Sequence, residues 1–348
     1  MKMQLSNINS LRGIAILMVI MVHVSQLSKF STKFEMLFFD YGKMGVQLFF
    51  IASAYTLCLS DDNRKKEEKH LLKFYIRRYF RIFPIYYLGI ILYFALNYYQ
   101  GSASSYTLKN VMSNVLFTHG LVPSANNSIV PGGWSIGAEM LFYLIFPFLF
   151  KFLKYGYRII KAAILIIIGQ TLVFLGTKKL GWPIDFSYFC IFNQLSVFVT
   201  GILFYIYRNK FNNLPIAITG FIIFTTVTFS LAYFDIANSY KIIPFSSALS
   251  FCCLFVISTK TLLINNKLFQ EIGINSYSIY VVHFILPFFV LPKMNGYPMF
   301  IGSFILVVLC SYLISVFLNK VIERPFIEVG KQIIKIVDLE NKLHQNNK

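Results

Sequence analysis

Charge is scarce in this chain. Of its 348 residues only 13% are Asp, Glu, Lys or Arg, about half the roughly 25% of a soluble globular domain, and that shortage excludes an ordinary water-facing surface. Acidic residues are the scarcest, 14 against 32 basic ones. Cysteine is sparse as well. Cys58, Cys190, Cys252, Cys253 and Cys310 are odd in number, lack metal-ligand spacing and fall within or at the edge of apolar runs. They read as small core residues, so neither a disulfide framework nor a zinc site is expected, and no other metal site is. The chain lacks an internal repeat and a linker that would set off a second domain. No cleavable signal peptide is expected, because the first apolar run leads straight into a polytopic pattern.

What is abundant is apolar. The chain is 57% hydrophobic, with 38 Phe and 22 Tyr, and these residues come in long runs. About 20 such residues cross the hydrocarbon layer, and a segment in lipid must satisfy its own backbone polar groups, which forces helix. The expected fold is therefore all-α: a polytopic integral membrane protein of about ten transmembrane helices. The spans fall near Leu11–Leu27, Gly45–Leu59, Ile82–Tyr98, Trp134–Leu153, Ile159–Gly176, Phe186–Tyr207, Leu214–Phe234, Ile242–Ile257, Tyr277–Leu291 and Met299–Leu318. Only Arg208–Asn213 separates the sixth from the seventh, a tight turn between antiparallel helices.

Ten spans put both termini on one side, and 24 of the 32 Lys and Arg fall on that side. The positive-inside rule then makes both termini cytoplasmic and the location the inner (cytoplasmic) membrane. The same asymmetry accounts for most of the +18 net charge, so no nucleic-acid partner is expected. The long outer loop from Tyr99 to Gly133 repeats Leu108, Val111, Met112, Val115 and Leu116 at helical spacing, as a short surface helix does. Residues 1–325 form one membrane-embedded domain. Residues 326–348 read as a short basic cytoplasmic tail on the inner surface.

An ionisable side chain inside a bilayer is costly, so each needs a partner or a purpose. Arg12 and His23 lie eleven residues apart on the first span, which returns them to within roughly 20° of one face at a separation of roughly 16 Å. They are expected to line one channel, although His23 alone also suits a hydrogen bond to a neighbouring carbonyl. Glu139, in Trp134-Ser135-Ile136-Gly137-Ala138-Glu139, enters from outside and matches the depth of His23. A carboxylate there can fix an imidazole tautomer and raise its basicity; a packing hydrogen bond with Trp134 as interfacial anchor explains it as well. Arg78 and Arg81 share a face at i, i+3, with Pro84 expected in the first turn of the next span. The pair suits bidentate phosphate capture, and it also suits plain positive-inside flanking. His283, in Tyr277-Ser278-Ile279-Tyr280-Val281-Val282-His283, reads first as a bonded core histidine.

Together these motifs resemble the acyltransferase 3 family of membrane acyltransferases. Arg12-Gly13 followed by His23 resembles the family's first-helix pattern, and Arg78-Tyr79-Phe80-Arg81-Ile82-Phe83-Pro84 its Arg-x-x-Arg-x-x-Pro. Trp134-Ser135 with Glu139, then Phe142-Tyr143, resembles its Trp-Ser-x-x-x-Glu element; Ser276 to His283 a late-helix pattern; and Glu323-Arg324-Pro325 its closing Glu-Arg-Pro. The matches run from Asn9 to Phe326. One departure is Phe49-Phe50-Ile51-Ala52-Ser53-Ala54-Tyr55, where many members carry Ser-Gly after Phe-Phe. No esterase-like domain is expected after the last span, so an acyl hand-off to one would need a separate protein.

The resemblance implies an O-acyltransferase with no bound cofactor. It would take an acyl group, acetyl first among them, from acyl-CoA to a hydroxyl of a cell-envelope glycan or lipid-linked saccharide. On that reading Arg12, Arg78 and Arg81 bind the acyl-CoA, His23 is catalytic base or acyl acceptor, and Glu139 orients it or shares its proton. Trp134, Ser135, Tyr143, Tyr280 and His283 are substrate-site or structural residues. The rival is a transporter or flippase for a lipid-linked or small anionic substrate; against it stand the missing repeat and prolines, Pro84 and Pro147, expected near span ends.

Overall fold

The computed structural model describes residues 2–30, 32–292, 294–295 and 297–346; the last two residues of the expected tail, 347–348, lie outside them. Helix makes up 81% of the protein. The first helices are α1 (Lys2–Ser25), α2 (Lys33–Asp40), α3 (Gly45–Arg64), α4 (His70–Tyr99), α5 (Leu108–Val115), α6 (Gly133–Lys154), α7 (Arg158–Lys179) and α8 (Ile184–Phe189). There follow α9 (Ile191–Tyr207), α10 (Leu214–Tyr233), α11 (Ile243–Lys260), α12 (Lys267–Ile274), α13 (Ser276–Val282), α14 (Tyr297–Leu318) and α15 (Arg324–Asn346). Side chains start several of them by accepting an orphan N–H: Asn213 from Ile216 at 3.1 Å and Asn266 from Phe269 at 3.0 Å. The one pair of strands is two residues long, Ser28–Lys29 beside Met294–Asn295.

Among the described residues nine helical stretches are long and apolar enough to cross a membrane, and ten if one bent pair counts as a single span. The protein is a multi-pass membrane protein. The ninth expected span, Tyr277–Leu291, is the second member of that pair, Ser276–Val290, and α12 precedes it at an angle of 63°. The cause is a close crossing with α1: a Cβ on Gly13 would lie 2.1 Å from the Phe269 carbonyl oxygen, and one on Gly273 would lie 1.7 Å from that of Asn9. Small residues let membrane helices touch backbone to backbone, and α12 is held across α1 instead of continuing α13.

One correction concerns the prolines. Helix α4 starts at His70, so Pro84 sits in its interior, as Pro147 does in α6. The polar first turns of α4 are helical because α15 packs along them. Lys73, 4% exposed, pairs with Asp338; Phe83 meets Phe326 edge-on at 5.3 Å; and Gly330 lies against Phe80. The described part of the expected tail is thus a helix, largely exposed and packed on one side along α4.

Burial sorts the helices into two layers. Of the most apolar windows, 78% is buried in Lys33–Arg64 and 72% in Ile184–Tyr207, against 22% in Arg158–Lys179 and 11% in Leu214–Tyr233. Thus α1, α3, α9 and α11 form the interior, while α7, α10 and α14 present side chains outward. Trp134 is 7% exposed and stacks on Phe189 at 4.5 Å, so it is a core residue and not an interfacial anchor. The expected surface helix is α5, whose Leu108, Met112 and Leu116 are exposed while Asn110 and Asn114 are buried. Its asparagines hold it to the loop, Asn110 donating to Ser105 O at 2.9 Å and Asn114 to Ala125 O at 3.2 Å.

Candidate active site

Five helices converge on one cavity. Arg12 comes from α1, Phe49, Phe50 and Ser53 from α3, Arg81 from α4, Ser135, Glu139 and Tyr143 from α6, and Tyr280 from α13 as a fifth contributor. The cavity is narrow, about 60 Å³. Glu139 is its only acid. The Glu139 Oε1 accepts from Ser53 Oγ at 2.6 Å and from the Tyr143 hydroxyl one turn along its own helix, and these two hydroxyls are 3.2 Å apart. Two donors on one oxygen fix the direction of the carboxyl group.

The arginines are differently provided for. Among the described residues none of Arg12, Arg78 or Arg81 has a carboxylate within 4.0 Å. The Arg78 guanidinium lies 5.8 Å from the ring centres of Phe74 and Tyr143, and its Nε is buried without a hydrogen-bond partner. A second, wider cavity of about 770 Å³ opens at the end of α3 and the start of α4, with Arg64, Glu67, Arg77, Arg78, Lys331 and Lys335 in its walls. Among the described residues Arg81 alone lines both cavities. The narrow chamber and the basic cavity thus lie against the same residue, Arg81.

At the far end of the chamber stands Tyr280. Its hydroxyl is 2.8 Å from Ser135 Oγ, and both hydroxyls are 3.0 Å from Gly132 O. Gly132 has φ +74°, and a Cβ there would lie 2.8 Å from the Tyr280 hydroxyl and from Phe284. Only glycine combines that left-handed backbone with so close an approach. The outer loop thus rests on the chamber's end.

His23 is on the other side of this partition. Its ring is 4.4 Å from that of Phe284 and 5.4 Å from that of His283, and its Nδ1 is 3.4 Å from Gln26 Oε1. It does not line the chamber, so the expected pairing of His23 with Glu139 is not what the helices form. Arg12 and His23 do share a helix stripe, but only Arg12 reaches the cavity. His283 is fully buried; its Nδ1–H donates to Tyr280 O at 2.7 Å, and its Nε2 has no partner. That bond makes Nδ1 a protonated nitrogen.

Sequence reasoning passed over Ser53, whose signal was only a hydroxyl between two alanines, and His119. His119 is buried outside the spans, with Nε2 2.9 Å from Gly133 O and 3.1 Å from the Tyr86 hydroxyl. Burial pushes its pKa down to about 4, which keeps the imidazole neutral where it ties the outer loop to the start of α6. Among the described residues no group of three His, Cys, Asp or Glu could hold a metal ion.

These features are joined by one comparison. The acyltransferase domain of the acyltransferase 3 type matches residues 5–320. The chain belongs to the acyltransferase 3 family. No curated protein and no solved structure matches it. As a member of this family it is a membrane acyltransferase.

Proposed function

We propose that this acyltransferase takes an acetyl group from acetyl-CoA entering at a cytoplasmic basic mouth and transfers it to a hydroxyl of a cell-envelope glycan or lipid-linked saccharide on the opposite side of the inner membrane. The observation that carries this reading is the surplus of guanidinium: five arginines and two carboxylates line two cavities that share Arg81, and with Glu67 taken by Arg64 and Arg77, Arg12, Arg78 and Arg81 have no ion pair among the described residues. An unpaired cation held away from bulk water is costly, and a polyanionic thioester donor supplies the missing charge. The narrowness of the chamber favours a short acyl group, because about 60 Å³ holds only a few water molecules.

In the transfer the acceptor oxygen attacks the thioester carbonyl, the C–O bond forms, the C–S bond breaks, and the hydroxyl proton passes through His23 to the departing CoA thiolate. In the two-step variant His23 is acylated first and then attacked. Either route requires Tyr280 and Phe284 to turn aside, since they separate the chamber from His23. Glu139 then acts on the donor side, holding Tyr143 and Ser53 and balancing Arg12, instead of orienting His23.

The test is purified protein in nanodiscs given labelled acetyl-CoA and an extracted envelope saccharide. CoA release and label in the saccharide are expected, both lost in His23→Ala while that variant still inserts. Transport of label without CoA release would support the carrier reading, and undiminished activity of His23→Ala would remove His23 from the chemistry.

A further inference from the structure

The wide mouth has two basic walls, and only one is explained by the Arg-x-x-Arg segment. Its acid, Glu67, is taken by Arg77 at 2.9 Å and Arg64 at 3.6 Å. That leaves Arg78 and Arg81 on the α4 wall. The α15 wall presents Ile327, Gly330, Lys331, Ile334 and Lys335, which recur at i, i+3, i+4, i+7 and i+8 and so form one stripe of that helix. Among the described residues Lys335 has no ion pair, and Lys331 has only the exposed neighbour Glu328 on its own helix, a contact worth little in water.

This stripe is held in place. Lys73–Asp338, Phe83–Phe326 and the contact of Gly330 with Phe80 lie at both ends and the middle of it. The two lysines therefore face the two arginines across a cavity of about 770 Å³, with Ile327 and Ile334 beside them. A ligand that satisfies both walls must carry two separate anionic groups with a flat apolar part between or beside them. Coenzyme A is such a ligand: a diphosphate leads to the pantetheine arm, and a monophosphate sits on the ribose 3′ carbon next to adenine.

We infer that Lys331 and Lys335 of the C-terminal helix bind the ribose 3′-phosphate of the CoA donor, with Ile327 and Ile334 against its adenine, while Arg78 and Arg81 take the diphosphate. The inference rests on the acyl-CoA reading above and adds a donor specificity to it. An anionic lipid headgroup is the competing occupant, but it would fill one wall and leave the other unpaired.

The experiment measures calorimetric binding of acetyl-CoA and 3′-dephospho-acetyl-CoA to the full chain in nanodiscs of neutral lipid. The wild type and Lys331→Gln/Lys335→Gln are compared; both positions are exposed, so the fold is retained. The wild type is expected to favour acetyl-CoA about tenfold, the effect of roughly one charge-assisted contact, and the double variant to bind both donors equally, at the wild-type affinity for the dephospho form. Equal weakening of both donors, or no loss of preference, overturns the inference while leaving acyl-CoA binding intact. So does a wild type that shows no preference while the variants lose retention on phosphatidylglycerol vesicles. Failure of both donors to bind the wild type overturns the acyl-CoA reading itself.

Discussion

Arg81 stands where the two cavities meet, and its replacement separates binding from chemistry. In Arg81→Ala the mouth loses one of the three guanidiniums on the α4 wall, and the chamber loses a cation near Glu139. A charge-assisted contact to phosphate is worth about 1.5–3 kcal/mol, and each 1.4 kcal/mol is a factor of ten. The KM for acetyl-CoA should therefore rise about 10- to 100-fold. Because Arg81 also lines the chamber, kcat should fall with it. Arg78 lines only the mouth, so Arg78→Ala should raise KM with kcat nearly unchanged, the signature of binding shared by ground and transition states. Lysine at 81 restores charge without the planar fork and should recover part of the loss. The assay is initial-rate CoA release against acetyl-CoA concentration at saturating acceptor. A KM for Arg81→Ala within about twofold of wild type, less than ~0.5 kcal/mol, would refute the assignment of this passage to the donor.

Ser53→Ala removes one of the two donors on Glu139 Oε1. It should lower the midpoint of thermal unfolding by an amount equivalent to about 1–3 kcal/mol and reduce kcat without altering acetyl-CoA affinity; titrating both quantities in the same preparation checks it. His119 has a folded pKa of about 4, below an unfolded value of about 6.5. Between those values the unfolded chain binds the proton and the folded one does not, so its contribution is whole above about pH 6.5 and is lost as pH falls toward 4. The full difference is about 3 kcal/mol. Thermal midpoints from pH 7 to 4 should decline in the wild type and decline less in His119→Gln.

Span positions were legible because a run of apolar residues is a local property and the bilayer sets its length. The helix α5 was legible for the same reason, its periodicity lying within eight residues. Contacts between distant segments were not. Depth along a span follows from counting residues, which put His23 and Glu139 at one height. What lies opposite each height does not follow: Arg12 and His23 share one stripe of α1, and Arg12 meets the chamber while His23, about 16 Å along the helix, meets Phe284. The bend between α12 and α13 depends on Gly13 meeting Phe269, 256 residues away in sequence. The tail looked like a surface segment because its apolar residues alternate with lysine; that pattern equally serves a helix packed on one side and facing a charged cavity on the other. Ser53 was silent because a hydroxyl in a span ordinarily bonds its own helix, as Thr56 does with Ala52 O at 2.6 Å.

The unpaired arginines also make a statement about stability that runs opposite to intuition. Cations that the fold fails to pair lower stability unless water or a ligand solvates them, and replacing buried charge by an apolar side chain of similar volume is often neutral or stabilising, by about 1–4 kcal/mol where measured. Arg12 is the innermost of the three, lining the narrow chamber and not the mouth. Arg12→Met should therefore leave the ligand-free thermal midpoint unchanged or raise it, while reducing the rise that acetyl-CoA produces. In the wild type that rise should be about 2.7 kcal/mol at a donor concentration of a hundred times Kd. An activity loss caused by misfolding would show the reverse, a lower midpoint without ligand. If Arg12→Met unfolds earlier than wild type in the absence of donor, Arg12 is a structural cation paired within the fold, and the surplus of positive charge on which the donor site is argued disappears with it.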